Sequence, residues 1–398
     1  MYFELTLHRP PSESSDPFKD LTRGTSYKPR DSEILIIYQP LNNSGTLSTS
    51  AILESTVNAM RYVVTATSQC LNLSTPTFGI YVPGLVGGLY LDILPYRYSR
   101  LGTGAVISND PEVAAASLGR VVIRDYPVAS SLSVGQIGDI IQGMQEFTHV
   151  QQLQECDISV LDLSKPDRPM IARGCFAYTD NCKQIPPEPY TVGGATTLPE
   201  KARPATKESV VIAGNNTNGL VITNPSETLS ISFQSDPNSM AIQNQNYADL
   251  AIQAMWHMLP MIIQQGRRDA ILPWNEERDR YEWVIEVPYD PLRPYPFKND
   301  FQLRFWQEKS ARARLTLREI AESLYWIQRA FEATTLIESR ISIQVPITDP
   351  PRRGVLGLGG GGCLSYTNVS SFTGCDFASL PSQGFGEIGS AAVAVDVT

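Results

Sequence analysis

The residues of this 398-residue chain whose types and spacing could support chemistry are few. General acid–base work would need a base near a partner. The only histidines are His8, His149 and His257, none has a suitable partner nearby in sequence, and each reads as structural. Glu276, Glu277 and Asp279 cluster within Asn275 to Arg280, but Arg278 and Arg280 alternate with them, as in a solvated loop. There is no Gly-x-Ser-x-Gly elbow. The run Gly357 to Gly362 lacks the Lys-Ser/Thr that ends a phosphate-binding loop, so it reads as a linker or a close-packed segment.

Two carboxylates remain. Asp92 and Glu286 fall in β-rich runs that match between the halves of the chain, one position out of register, where a carboxylate must face solvent or be paired. They are the candidate ligand-binding residues. Arg304, Lys309, Arg312, Arg314 and Arg318, with Trp306 among them, form a basic segment that suits either an anionic partner or a solvated strand face. No residue is assigned a catalytic role and no cofactor is expected.

The six cysteines are Cys70, Cys156, Cys175, Cys182, Cys363 and Cys375. Cys175 with Cys182 and Cys363 with Cys375 are short-range pairs at matching places in the two halves, which favours local disulfides over six free thiols. Zinc is disfavoured, because the spacings are not Cys-x-x-Cys and the histidines are far away in sequence. Glycosylation sequons stand at Asn42, Asn72, Asn215 and Asn368.

The elements that would position these residues repeat. Ile34 to Gln39 and Leu229 to Gln234 both read as strands, at an offset of 195. The helical stripe Leu53, Val57, Met60 and Val64 recurs at the same offset as Ala248, Ile252, Met255 and Leu259. Gly88 to Tyr96 matches Tyr281 to Tyr289, and Arg120 to Asp125 matches Phe301 to Trp306. Ser133 with Gln136 and Thr316 with Glu319 are capping boxes at an offset of 183. The stripe Ile137, Ile141 and Met144 follows the first, and Ile320, Leu324 and Ile327 the second. Last strands are expected at Cys156 to Leu161 and Ser339 to Gln344.

The order is βαββαβ, twice, which predicts an α+β protein made of two ferredoxin-like units. Their antiparallel sheets would each carry helices on one face, and an edge-to-edge junction of the two would remove an exposed edge from each. The expected boundaries are an irregular segment at 1–31, repeats at 32–182 and 227–358, a Pro-rich linker and hairpin at 183–226, and a Gly/Ser-rich tail at 359–398. In such a unit Cys70 and Cys156 lie at opposite ends, so that pair is expected to stay reduced.

Composition narrows the partners. With a net charge of −9 and a pI near 5.0, the chain lacks the positive field that nucleic-acid binding needs. No run suits a transmembrane helix, and the region from Met1 to Arg9 lacks the basic start and apolar run of a signal peptide. Only 18% of residues are charged and Ser, Thr and Asn are abundant, which suits an extracellular surface; a cytoplasmic location is the alternative.

A β-rich run, a Thr-x-x-Glu-capped helix and a strand leading to Arg-Gly-apolar-x-Gly occur together from Phe301 to Gly357. This combination resembles uncharacterised, often cysteine-bearing proteins predicted from filamentous fungi, a resemblance that implies no activity. The expectation is a secreted structural or interaction protein with an unidentified protein or cell-surface partner. The alternative is a carboxylate-dependent hydrolase or small-ligand binder with its site between the repeats.

Overall fold

The structure, a computed structural model, describes residues 24–29, 32–41, 44–68, 73, 76–77, 80–82, 89–95, 120–121, 132–148, 151–166, 168–178, 211–214, 220–224, 226, 228–235, 239–266, 270–287, 301–307, 309, 311, 313–348 and 351–366. It is an α+β protein with antiparallel sheets. The chain divides into two compact units, Met1–Thr67 with Leu71–Lys207, and Ser68–Cys70 with Glu208–Thr398.

In the first unit, β1 (Thr25–Tyr27) and β2 (Ile34–Pro40) precede helix α1 (Thr49–Ser68). Then come β3 (Pro76–Thr77), β4 (Ile80–Val82), β5 (Leu89–Pro95), β6 (Arg120–Val121) and β7 (Leu132–Ser133). Helix α2 (Val134–Thr148), β8 (Cys156–Asp162) and β9 (Met170–Tyr178) complete it. Seven of these strands form one sheet in the order β1-β2-β8-β9-β5-β4-β6, and β3 pairs with β7.

The second unit runs β10 (Val211–Gly214), β11 (Leu220–Thr223), β12 (Ser230–Gln234), α3 (Asn244–Gln264), β13 (Trp274–Asn275), β14 (Arg280–Val287) and β15 (Phe301–Gln307). It ends with α4 (Leu317–Ala333), β16 (Ser339–Thr348) and β17 (Pro351–Tyr366). Its eight strands lie in the order β10-β11-β12-β16-β17-β15-β14-β13. Five strands therefore follow one another in the same way in both units: β2-β8-β9-β5-β4 in the first and β12-β16-β17-β15-β14 in the second.

The apolar periodicity is realised as buried faces. Leu53, Val57, Met60 and Val64 of α1 and Ala248, Ile252, Met255 and Leu259 of α3 are all buried. So are Ile137, Ile141 and Met144 of α2 and Ile320, Leu324 and Ile327 of α4. Both capping boxes form. The Ser133 amide donates to Gln136 Oε1 at 2.9 Å and the Gln136 amide to Ser133 Oγ at 3.1 Å. The Thr316 amide donates to Glu319 Oε2 at 2.7 Å and the Glu319 amide to Thr316 Oγ1 at 3.3 Å.

Several sequence expectations change. A ferredoxin-like sheet places the first strand beside the third. Here the hairpins β8–β9 and β16–β17 come between them, because each unit has a fifth strand in the centre of its sheet. The Gly-rich run expected to begin a tail at 359 is the second half of β17, which continues to Tyr366. At Gly361 an added Cβ would lie 2.5 Å from Cζ2 of Trp306, and at Gly362 one would lie 2.6 Å from Ile341 Cγ1. The missing side chains let neighbouring strands pack over β17, which is what a glycine-rich strand interior permits.

The hairpin expected in the linker does form, with Val211 opposite Thr223, but it joins β12 as part of the second sheet. Within the segment expected to be irregular at 1–31, Thr25–Tyr27 pairs with β2. The match of Gly88 to Tyr96 with Tyr281 to Tyr289 is displaced by one strand: β5 neighbours β9 as β15 neighbours β17, so β5 corresponds to β15. Of Arg120 to Asp125, Arg120 and Val121 form β6 at the sheet edge beside β4, whereas Phe301 to Trp306 falls in β15 between β17 and β14.

Candidate functional site

The sheet registers place the candidate residues in corresponding rows. In the first unit Cys175 of β9 lies opposite Asp157 of β8 on one side and Asp92 of β5 on the other. In the second, Cys363 of β17 lies opposite Arg340 of β16 and Arg304 of β15. Each row continues to a glutamine on the next strand, Gln39 opposite Asp157 and Gln234 opposite Arg340. The cysteine position is therefore the same in both units, and the charges beside it are reversed.

This register corrects the pairing of the two candidate carboxylates. Asp92 corresponds to Arg304, not to Glu286, which lies exposed on β14 opposite Gln302 of β15. They belong to different units and do not occupy corresponding register positions.

Among the described residues, the richest cluster of charged side chains surrounds Glu282, whose own side chain is only 2% exposed. Arg278 Nη1 and Arg280 Nη2 each donate to Glu282 Oε1 at 3.1 Å, and Arg304 Nε is 3.6 Å from the same oxygen. Asn275 Nδ2 donates to Oε2 at 3.1 Å. The strand period puts Arg280 and Glu282 on one face of β14, and the register brings Arg304 and Trp306 of β15 beside them. The Arg280 guanidinium lies 5.9 Å from the Trp306 ring centroid. Burial lowers the pKa of Arg304 below its usual value; Glu282 opposes the shift, and Arg278 and Arg280 add to it.

Such a carboxylate is held by its arginines and serves as an anchor for them. Arg278 still reaches solvent, with 42% of its side chain exposed. The arrangement can hold the β13–β14 turn against β15 and present guanidinium to an anion. Close by, Lys309 Nζ stands 5.2 Å over the ring of Trp274. Arg314 and Arg318 are exposed and separate from the cluster, and Arg312 lies outside the described residues. The sequence reading missed this site because acidic and basic residues alternating through 275–280 look like a solvated loop. Only the β13–β14 hairpin folds Arg278 back onto Glu282.

Two further buried carboxylates, one in each unit, make corresponding contacts. Glu155 Oε1 accepts the Tyr178 amide at 2.9 Å and its Oε2 accepts the Gly45 amide at 3.2 Å. Glu338 Oε1 accepts the Tyr366 amide at 2.8 Å and its Oε2 accepts the Met240 amide at 2.8 Å. The two tyrosine hydroxyls accept the backbone amides of Ser48, at 3.4 Å, and Gln243, at 3.3 Å, immediately before α1 and α3. Glu155 and Glu338 stand at the offset of 183 already present in the capping boxes, a signal that could have found them.

Of the three described cysteines, Cys156 is a buried free thiol opening β8, and burial pushes its pKa up. Cys175 and Cys363 are buried. Cys70, Cys182 and Cys375 lie outside the described residues, as do Asn42, Asn72, Asn215 and Asn368, His8 and His149. His257 is exposed on α3. Among the described residues no group of three or more His, Cys, Asp or Glu is placed to hold a metal ion, and no helix is long and apolar enough to cross a membrane. No family model, curated protein or solved structure matches the chain.

Proposed function

We propose that the chain is a non-enzymatic extracellular interaction protein, built by duplication of a βαββαβ frame carrying a fifth strand, with an anionic partner for its second unit. The carrying observation is the reversal of charge at one register position. Asp92 and Asp157 flank Cys175 where Arg304 and Arg340 flank Cys363. A duplicated catalytic site would retain its reacting groups, whereas a duplicated recognition scaffold retains its frame and varies its charges. The frame is retained down to the Glu155 and Glu338 amide contacts, and the guanidinium cluster around Glu282 occurs in the second unit.

Disulfides Cys175–Cys182 and Cys363–Cys375 form part of this reading. Cys175 and Cys363 share one sheet position, and Cys156, outside both pairs, is the free thiol among the described cysteines. Non-reducing peptide mapping of the native protein should find both bridges and glycan on at least one sequon. Six free thiols with bare asparagines would reject the extracellular assignment. For the partner, immobilised poly-glutamate should retain the chain more strongly than the same matrix without an anionic ligand does, although the chain's net charge is −9. Arg278→Gln should shorten that retention; unchanged retention would reject the cluster as the recognition site.

A further inference from the structure

The two units differ at the outer edge of one corresponding strand. In the first, Tyr81 of β4 lies opposite Asp92; in the second, Val284 of β14 lies opposite Arg304, so Tyr81 and Val284 correspond. On its outer side β4 pairs with β6, Tyr81 opposite Arg120 and Ile80 opposite Val121. At the corresponding edge of β14, the strand β13 reaches only Arg280 and Tyr281. Among the described residues no strand pairs with Trp283 to Val287 on the side away from β15.

We propose that this edge of β14 is a docking site for an extended, basic segment of another protein, which adds to the sheet as an antiparallel strand where β6 sits in the first unit. Backbone direction supports it. The Glu282 amide points outward, donating to the Pro273 carbonyl at 2.9 Å, and strand alternation turns the amides of Val284 and Glu286 to the same side. These amides, with their carbonyls, supply the main-chain bonds of strand addition.

Side chains supply the chemistry. Val284 is 37% exposed, and Glu286, also exposed, follows two residues later on the same face. A partner strand fits with an apolar residue opposite Val284 and a lysine or arginine opposite Glu286. A second copy of β14 fits poorly, because symmetric antiparallel pairing about Val284 sets Glu286 against Glu282 of the other copy, and like charges directly opposite repel. The residues used differ from Arg278, although Arg304 of the same cluster lies opposite Val284 and its guanidinium feels the Glu286 charge.

The test uses the full chain and two labelled, end-blocked hexapeptides, Ser-Lys-Thr-Val-Thr-Gly and its counterpart with Glu in place of Lys. Fluorescence anisotropy should show the lysine peptide binding more tightly, with slowed amide exchange at Val284 and Glu286. Val284→Pro removes one outward amide at an edge that tolerates proline and should weaken binding about tenfold. Glu286→Gln, which adds no cation beside Arg304, should abolish the preference between the peptides. Three outcomes would overturn the proposal. They are amides at 284 and 286 already protected in the free chain, equal binding by Val284→Pro, or a dimer that both peptides fail to dissociate.

Discussion

The buried carboxylate of Glu338 accepts the backbone amide of Tyr366 at 2.8 Å, and the hydroxyl of that tyrosine accepts the amide of Gln243 where α3 begins. One side chain thus ties the end of β17 to the strand before it, and the other ties it to a helix start. Glu338 also accepts the Met240 amide. Glu338→Ala would leave these amides without their acceptor, at a cost of about 2–5 kcal/mol. Glu338→Gln keeps one acceptor and should cost less. Urea midpoints of the two variants give the ranking, and small losses in both would show that these contacts contribute little.

Gly361 tests the packing of the central strand. A methyl group there meets the Trp306 ring at 2.5–2.6 Å, and Trp306 is itself buried. We expect Gly361→Ala to destabilise the second unit by about 1–3 kcal/mol. Gly45→Ala is the control, since nothing lies within 4 Å of its added Cβ. Thermal unfolding monitored by tryptophan fluorescence should separate the two, and equal melting temperatures would contradict the close approach.

Asp139 gives a pH signature. Burial pushes its pKa up to about 6, against a smaller opposing effect of the hydrogen bond from Ser32 Oγ at 3.1 Å. A carboxyl whose folded pKa exceeds its unfolded value binds its proton more tightly when folded. Stability is therefore lost as pH rises from near 4 to near 6, and the full penalty persists above that range. Because Asp139 is partly exposed, the penalty should be about 1–2 kcal/mol after screening. Asp139→Asn should flatten this part of the stability profile; an unchanged slope would place the titration elsewhere.

The capping box at α4 should be measurable through coupling. Thr316→Ala removes the acceptor of the Glu319 amide and should cost about 1 kcal/mol. Glu319→Ala removes the acceptor of the Thr316 amide. If the two contacts act as a reciprocal unit, the double variant should lose less than the sum of the single variants, and strict additivity would refute that coupling.

The sequence by itself determined the four helices, their buried stripes, both capping boxes and most of the paired strands. Each of these depends on contacts a few residues apart, so residue period and spacing report them directly. The repeat of residues between the halves was visible for the same reason, and its offset of 183 extends to Glu155 and Glu338.

Tertiary structure decided the rest. The place of β9 and β17 in the centre of their sheets depends on pairing across the chain, and the glycines of β17, which read locally as either a linker or a close-packed segment, have Trp306 and Ile341 filling the space above them. Register then determined which residues correspond, setting Asp92 against Arg304 instead of Glu286. A shift of one strand changes every such neighbour while leaving the local hydrophobic pattern as it was, and no spacing along the sequence distinguishes the two.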